Sequence, residues 1–329
     1  MLQFCLACIS CRQRHGPAKR IRAPLRRFPE ACPFARWQID FAGPFHASSE
    51  GYRYAAVCVE MFSNWPEVVY LKTTRAEELA EAIVRDLIPR YGIMRSVQTD
   101  QGSTFESKLF KAVLQFLQIE KLRVCSLHPR SQGKVERFIR TLKDKISITA
   151  ETAQSAWPDC IPFILLPYRS ARHKTTSFSP SEIIYGRNLN LPEDLVRPPP
   201  PQSSSSPSDP LSYVNWLRNT LRDVHREVVD NTNHEAARYK ERSDYNARPA
   251  TFAPDTLVWL YTPTRKVGVT TKLTRPWSGP WKVISTLNDV VVRIEHATTR
   301  KKKVVHIERL AKYEGHASAH FIEVLSWPQ

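Results

Sequence analysis

The sequence predicts a mixed α/β core followed by a helical linker and a small β-barrel. Three observations carry this. Between residues 35 and 190, three short β-branched and aromatic runs precede alternating helix-type and strand-type patterns. A segment that cannot bury a core, Pro198–Pro201 followed by Ser203–Ser206, then interrupts the chain. Beyond it one amphipathic pattern gives way, near Pro249–Pro254, to closely spaced strand patterns.

The first three strands are expected at Arg36–Phe41, Tyr54–Val59 and Glu67–Leu71, each bounded by Gly, Pro, Ser or Asn. Ala76, Leu79, Ala80, Ile83, Leu87 and Tyr91 repeat at helical spacing, and Gly92 supplies the stop. A brief strand, Ser96–Thr99, comes next. Ser103 and Glu106 have the spacing of a capping box for a helix carrying Leu109, Phe110, Val113, Leu114 and Leu117. Leu122–Cys125 reads as a fifth strand, and Lys134 to Ile148 as a helix with Val135, Ile139, Leu142 and Ile146 on one face. After the Pro/Ser segment, Leu217, Leu221, Val224 and Val228 predict a helix from about Leu211 to Tyr245. Strands at Leu257–Tyr261, Trp281–Ile284, Val290–Ile294 and Lys303–Ile307 suit a small barrel. The expected divisions are therefore 1–30 (a cysteine segment and basic linker), 31–192 (the core), 193–210 (Pro/Ser linker), 211–250 (helix), 251–315 (barrel) and 316–329 (tail).

Composition narrows the function. Lys and Arg number 48 against 32 Asp and Glu, a formal charge of +16, for which a polyanion is the commonest partner. Nucleic acid is favoured over a membrane surface because no basic helix with a lipid-facing stripe is evident. The 7 cysteines are odd in number and thinly spread after Cys11, which does not describe a disulfide framework. Met1–Ser10 is too short for a secretory signal, and Ile161–Pro167, the longest later apolar run, is too short to span a bilayer, so a soluble intracellular protein is expected.

Three acidic residues stand out by position. Asp40 lies inside the first strand between bulky apolar neighbours, where a charge without a purpose is costly. Asp100 directly follows the fourth strand, and Gly102 lets backbone approach a ligand beside it. Glu136 lies in the first turns of the helix after the fifth strand. Strand ends and a helix start are where an α/β sheet exposes side chains at a crevice. Three carboxylates there repel one another unless cations compensate, and hard oxygen donors suit Mg²⁺ or Mn²⁺. Two such ions can serve an in-line phosphoryl displacement with no nucleophilic side chain. Taken singly, each carboxylate reads more readily as an ordinary surface or capping residue; the surroundings of Asp40 and Asp100 are what shift the reading.

Trp37–Pro44, Thr99–Phe105 and His128–Lys143 resemble the three catalytic blocks of retroviral and gypsy-type retrotransposon integrases, and the 35 residues between Asp100 and Glu136 match that family's spacing. The resemblance implies a ribonuclease-H-like core with Asp40, Asp100 and Glu136 as catalytic metal ligands. It implies a DDE-type polynucleotidyl transferase that performs DNA 3′-end processing and strand transfer as a homo-oligomer on double-stranded DNA. A DNA substrate implies the nucleus, with a cytoplasmic particle as a further location. Ser278–Val283 and Val304–Leu310 resemble the family's carboxy-terminal SH3-like barrel. Cys8 and Cys11 resemble the end of its amino-terminal zinc module, but the upstream histidines that would complete a zinc site are absent, so the expectation is a chain truncated at that end that holds little zinc. Gln132 and Lys134 stand where the family often has Asn and Gln, and Glu60 where Asp is frequent.

Arg140 and Lys143 lie at i+4 and i+7 from Glu136, one stripe that either pairs with Glu136 or meets solvent and DNA. The resemblance favours DNA phosphates for both, and for Lys134. Arg300, Lys301, Lys302 and Lys303 form a charged hairpin tip in a segment where Lys and Arg clearly outnumber Asp and Glu, which favours binding to the DNA backbone. Two rivals share this fold: a catalytically silent, decayed or host-adopted integrase acting as a DNA-binding or interaction protein, and a nuclease that cleaves without joining.

Overall fold

A computed structural model describes residues 9–15, 32–123, 133–150, 154–196, 209–244, 252–262, 275–288 and 290–313. Cys8, Cys125, the block from His128 to Gln132, the Pro/Ser segment at 197–208 and the tail from 316 lie outside the described residues. The chain divides into two compact units, 27–238 and a second formed by 1–26 with 239–329.

In the first unit, strands β1 (Arg36–Ala42), β2 (Tyr54–Glu60), β3 (Pro66–Leu71), β4 (Ser96–Thr99) and β5 (Glu120–Arg123) form a five-stranded sheet in the order β3-β2-β1-β4-β5. The first three are antiparallel meander strands; β4 and β5 run parallel to β1. Apolar residues alternate along β1. Trp37 and Ile39 point to one face, where they join Cys58, Val97, Leu79 and Phe110 in a core. Ala42 belongs to the other face, with Val57, Val59, Phe138, Leu142 and Trp157.

The helix expected to run to Tyr91 is interrupted. Helix α1 is Ile9–His15; α2 covers Ala76–Ala82, a π turn Ile83–Leu87 follows, and α3 covers Ile88–Tyr91. Pro89 has no N–H to bond Arg85 and its ring crowds that carbonyl, and the wider turn accommodates it. The capping box at Ser103 is also corrected. Ser103–Glu106 (α4) is a separate short helix, and Ser107, in extended conformation, caps α5 (Lys108–Phe116) by accepting from Phe110 N at 3.1 Å. Glu106 instead pairs with Lys111 at 2.8 Å and Lys121 at 2.7 Å.

Helix α6 (Gly133–Thr149) lies on the second face of the sheet and buries Val135, Phe138, Ile139, Leu142 and Ile146. It packs with α7 (Trp157–Ser170), which the sequence did not announce because Pro162 and Pro167 lie inside it. Short helices α8 (Pro180–Tyr185) and α9 (Pro192–Val196) lead to the long α10 (Pro210–Asp244). Val228 of α10 packs on Phe62 and Ile183, and Asn231 Nδ2 donates to Thr176 O at 3.0 Å.

The second unit holds β6 (Leu257–Tyr261), β7 (Trp277–Asn288), β8 (Val291–His296), β9 (Lys302–His306) and β10 (Leu310–Lys312), an antiparallel five-stranded sheet in the order β10-β6-β7-β8-β9. Register shifts at Val258/Leu260, Val283/Ser285 and Thr286/Asn288 bend it around a core that includes Trp281, Val283, Ile294 and Leu310. No described helix is long and apolar enough to cross a membrane.

Candidate active site

The parallel pairing of β1 with β4 sets the site. Gln38 is opposite Gln98 in the last pair of that ladder; Asp40 lies two residues further along β1, and Asp100 directly follows the end of β4. The period of two puts Asp40 on the face of Gln38, the face that α6 covers. Gln38 Oε1 accepts a hydrogen bond from Val135 N at 3.2 Å, which ties the first turn of α6 to β1 and satisfies one of the donors a helix start leaves unpaired. Glu136 is the next residue and is exposed.

Asp40 Oδ1 accepts from Phe41 N at 2.8 Å, and Asp100 Oδ1 accepts from Gly102 N at 2.8 Å. A Cβ at position 102 would come within 3.0 Å of that same oxygen, so glycine leaves the carboxylate room. Burial pushes the Asp40 pKa up to about 6; the Phe41 hydrogen bond opposes this, the charges of Asp100 and Glu136 add to it, and Lys143 opposes it. The three predicted carboxylates and Lys143 therefore share one electrostatic field. In this conformation no three His, Cys, Asp or Glu side chains among the described residues converge to ligating distance. The donor set nonetheless fits a hard divalent cation, because it consists of oxygens whose mutual repulsion a cation relieves.

Arg140 and Lys143 are exposed, as their place on the Glu136 stripe requires. Lys134 behaves differently. Its Nζ donates to Met61 O at 2.5 Å, and its charge acts on buried Glu60 and half-buried His173. Glu60 is fully buried; Phe62 N donates to its Oε1 at 3.0 Å, and Ser63 N and Ser63 Oγ donate to its Oε2 at 2.6 Å each. Burial raises the Glu60 pKa, and these donors together with Lys134 hold it back. Neither Gln38 nor this use of Glu60 was anticipated from sequence. The available signal for Gln38 was its strand position, two before Asp40 on the same face.

In the second unit, Arg300 sits in the β8–β9 turn at φ 55°, 3.6 Å from Glu295, followed by Lys301, while Lys302 and Lys303 open β9. Lys303 Nζ lies 5.2 Å from the Trp281 ring centroid, and burial with the neighbouring Lys301 and Arg309 charges lowers its pKa. Ile284, Arg293, Lys302, Lys303 and Val304 line a shallow groove there. Cys11, in α1, is half-buried, and its predicted partner Cys8 lies outside the described residues.

Comparison with known proteins gives consistent matches. Residues 30–129 match the integrase core domain and residues 279–312 the integrase p58 C-terminal domain. The chain is 33% identical over 235 residues to the Gag-Pol polyprotein of Walleye dermal sarcoma virus, covering 70% of this chain and 12% of that protein. It is 29% identical over 285 residues to the Pol polyprotein of Radiation murine leukemia virus (strain Kaplan), covering 85% of this chain and 45% of that one. It thus spans less than half the length of these relatives. In fold it resembles a chain of the simian T-cell lymphotropic virus intasome solved in complex with PP2A regulatory subunit B56 gamma, with a TM-score of 0.55 at 16% identity over 94% of this chain and 89% of that chain.

Proposed function

We propose that this chain, which carries an integrase core domain and an integrase carboxy-terminal domain homologous to those of retroviral Pol polyproteins, is a metal-dependent DNA strand transferase that acts through Asp40, Asp100 and Glu136. The observation that carries this is the parallel pairing of β1, which holds Asp40, with β4, whose end Asp100 follows, together with the hydrogen bond that ties the helix of Glu136 to β1.

Mg²⁺ or Mn²⁺ held by these carboxylates would neutralise their charge and polarise a phosphoryl oxygen. The protein's own part is positioning. Gly102 N orients Asp100, Phe41 N orients Asp40, and Gln38 fixes the turn that presents Glu136. Arg140 and Lys143 bind phosphates of the DNA end, and Arg300 to Lys303 bind the duplex backbone. Oxygen of water, or of a DNA 3′-hydroxyl, forms a new bond to phosphorus while the existing bond to the leaving 3′-oxygen breaks. The attacking group gives up its proton and the leaving oxygen gains one. The work is done by a homo-oligomer on DNA, in the nucleus.

A catalytically silent DNA-binding protein is the second reading, favoured by the open spacing of the acidic side chains among the described residues. Incubation with Mg²⁺ and a labelled DNA end separates the readings. Trimmed and joined products support the transferase, cleavage alone indicates a nuclease, and binding without either product indicates the silent protein.

A further inference from the structure

We infer that Lys134 is a positioning residue whose ammonium clasps the first turn of α6 to the β2–β3 turn and so fixes where Glu136 emerges, and that it does not contact DNA. Its catalytic consequence rests on the function proposed above; the clasp itself does not.

Direction on the helix is the first argument. Residues two apart on an α-helix point about 200° apart around the axis. Glu136, Arg140 and Lys143 form one exposed stripe, and Lys134 is not on it. A DNA end laid along that stripe meets Arg140 and Lys143, whereas the Lys134 amine is turned back onto Met61 O at 2.5 Å. Lys134 is only partly exposed, unlike the other two cations.

Electrostatic need is the second argument. Glu60 is fully buried at the end of β2, and a buried carboxylate is costly unless donors and a cation meet it. Phe62 and Ser63 supply the donors, and Lys134 supplies the cation. Anchorage of the turn is also double. Lys134 is tied to the end of β2, and its neighbour Val135 is tied through its N–H to Gln38 of β1. Two tethers on adjacent residues, one to the β2–β3 turn and one to β1, fix both the height and the rotation of the turn, which one tether does not.

The test uses the full chain with Lys134→Met, Lys134→Arg and the double variant Glu60→Gln/Lys134→Met, beside Arg140→Ala/Lys143→Ala. Hydrogen exchange of the α6 first-turn amides is read without metal, Mn²⁺ binding by calorimetry, and DNA-end binding in EDTA across a salt series. Lys134→Met should speed first-turn exchange about ten-fold, the factor expected for one charge-assisted hydrogen bond. It should weaken Mn²⁺ binding and leave the DNA salt slope unchanged. Lys134→Arg should restore most of the protection. If Lys134→Met alone does not fold, the double variant should, because removing both partners leaves no unpaired buried charge. Unchanged exchange in Lys134→Met, or a salt slope reduced by about 0.9 in that variant as for a lost phosphate contact, would overturn the inference. A parent protein that binds no Mn²⁺ but whose first turn still loosens in Lys134→Met would remove the catalytic reading and leave the clasp standing.

Discussion

Gln38 of the first strand accepts, through its side-chain Oε1, the backbone N–H of Val135 at 3.2 Å. One contact thereby links the strand that carries Asp40 to the helix that carries Glu136, across 97 positions of sequence. Gln38 is fully buried, so its replacement leaves that N–H without water to turn to. Gln38→Leu should destabilise the first unit by about 1–3 kcal/mol, the cost of a stranded buried donor. Chemical denaturation of the parent and the variant measures it.

Asp40 offers a pH-dependent test in EDTA. Its folded pKa, about 6, lies above the ordinary 3.8, so the folded state holds the proton more tightly than the unfolded state. That contribution is fully present below the unfolded value and is lost as pH rises through about 6. Asp40→Asn should therefore match the parent near pH 4 and exceed it at pH 7, by at most about 3 kcal/mol, since a tenfold change in proton affinity is worth about 1.4 kcal/mol. Melting temperatures of both proteins across that range decide it; a gap that shrinks with rising pH contradicts the assigned field.

Arg140→Ala and Lys143→Ala should weaken binding to a DNA end, and each should reduce the steepness of log K against log salt by roughly 0.9 for a duplex. Lys143 carries a second signature, because it opposes the rise of the Asp40 pKa. Fluorescence anisotropy over a salt series checks the slope, and an unchanged slope in the double variant would leave both as solvated charges.

Neutralising Arg300, Lys301, Lys302 and Lys303 together in the full chain should weaken non-specific duplex binding more at low salt than at high salt. Lys303 also lies against Trp281, so a variant sparing Lys303 separates lost charge from lost packing. Equal duplex affinity for the parent and the spared variant at low salt would reassign this turn to another role.

Much of the candidate site was legible because its parts follow local rules. Asp40 in an apolar strand, Asp100 beside Gly102 and Glu136 in a helix start are each readable from neighbours along the chain, and the structure sets them in one field. The sheet was legible for the same reason, since β-branched runs announce strands. What escaped depended on tertiary context. Pro162 and Pro167 hid α7, whose stability comes from packing Trp157 and Ile161 against α6. Ser107 displaced the expected cap because Glu106 is drawn to Lys111 and Lys121, the latter on a strand the spacing rule does not see. The direction of Lys134 depended on the β2–β3 turn, where its amine meets Met61 O, 73 positions away in sequence.

The most direct test of the central claim compares joined products from the parent chain and from Asp100→Asn, prepared side by side, with Mg²⁺ and a labelled DNA end. The parent should yield both trimmed ends and strands joined to a second duplex. Asp100→Asn should yield neither, while retaining the parent's circular dichroism spectrum and its DNA affinity in EDTA. Near-normal joining by Asp100→Asn would contradict the account, because the charge removed is one the metal ions require.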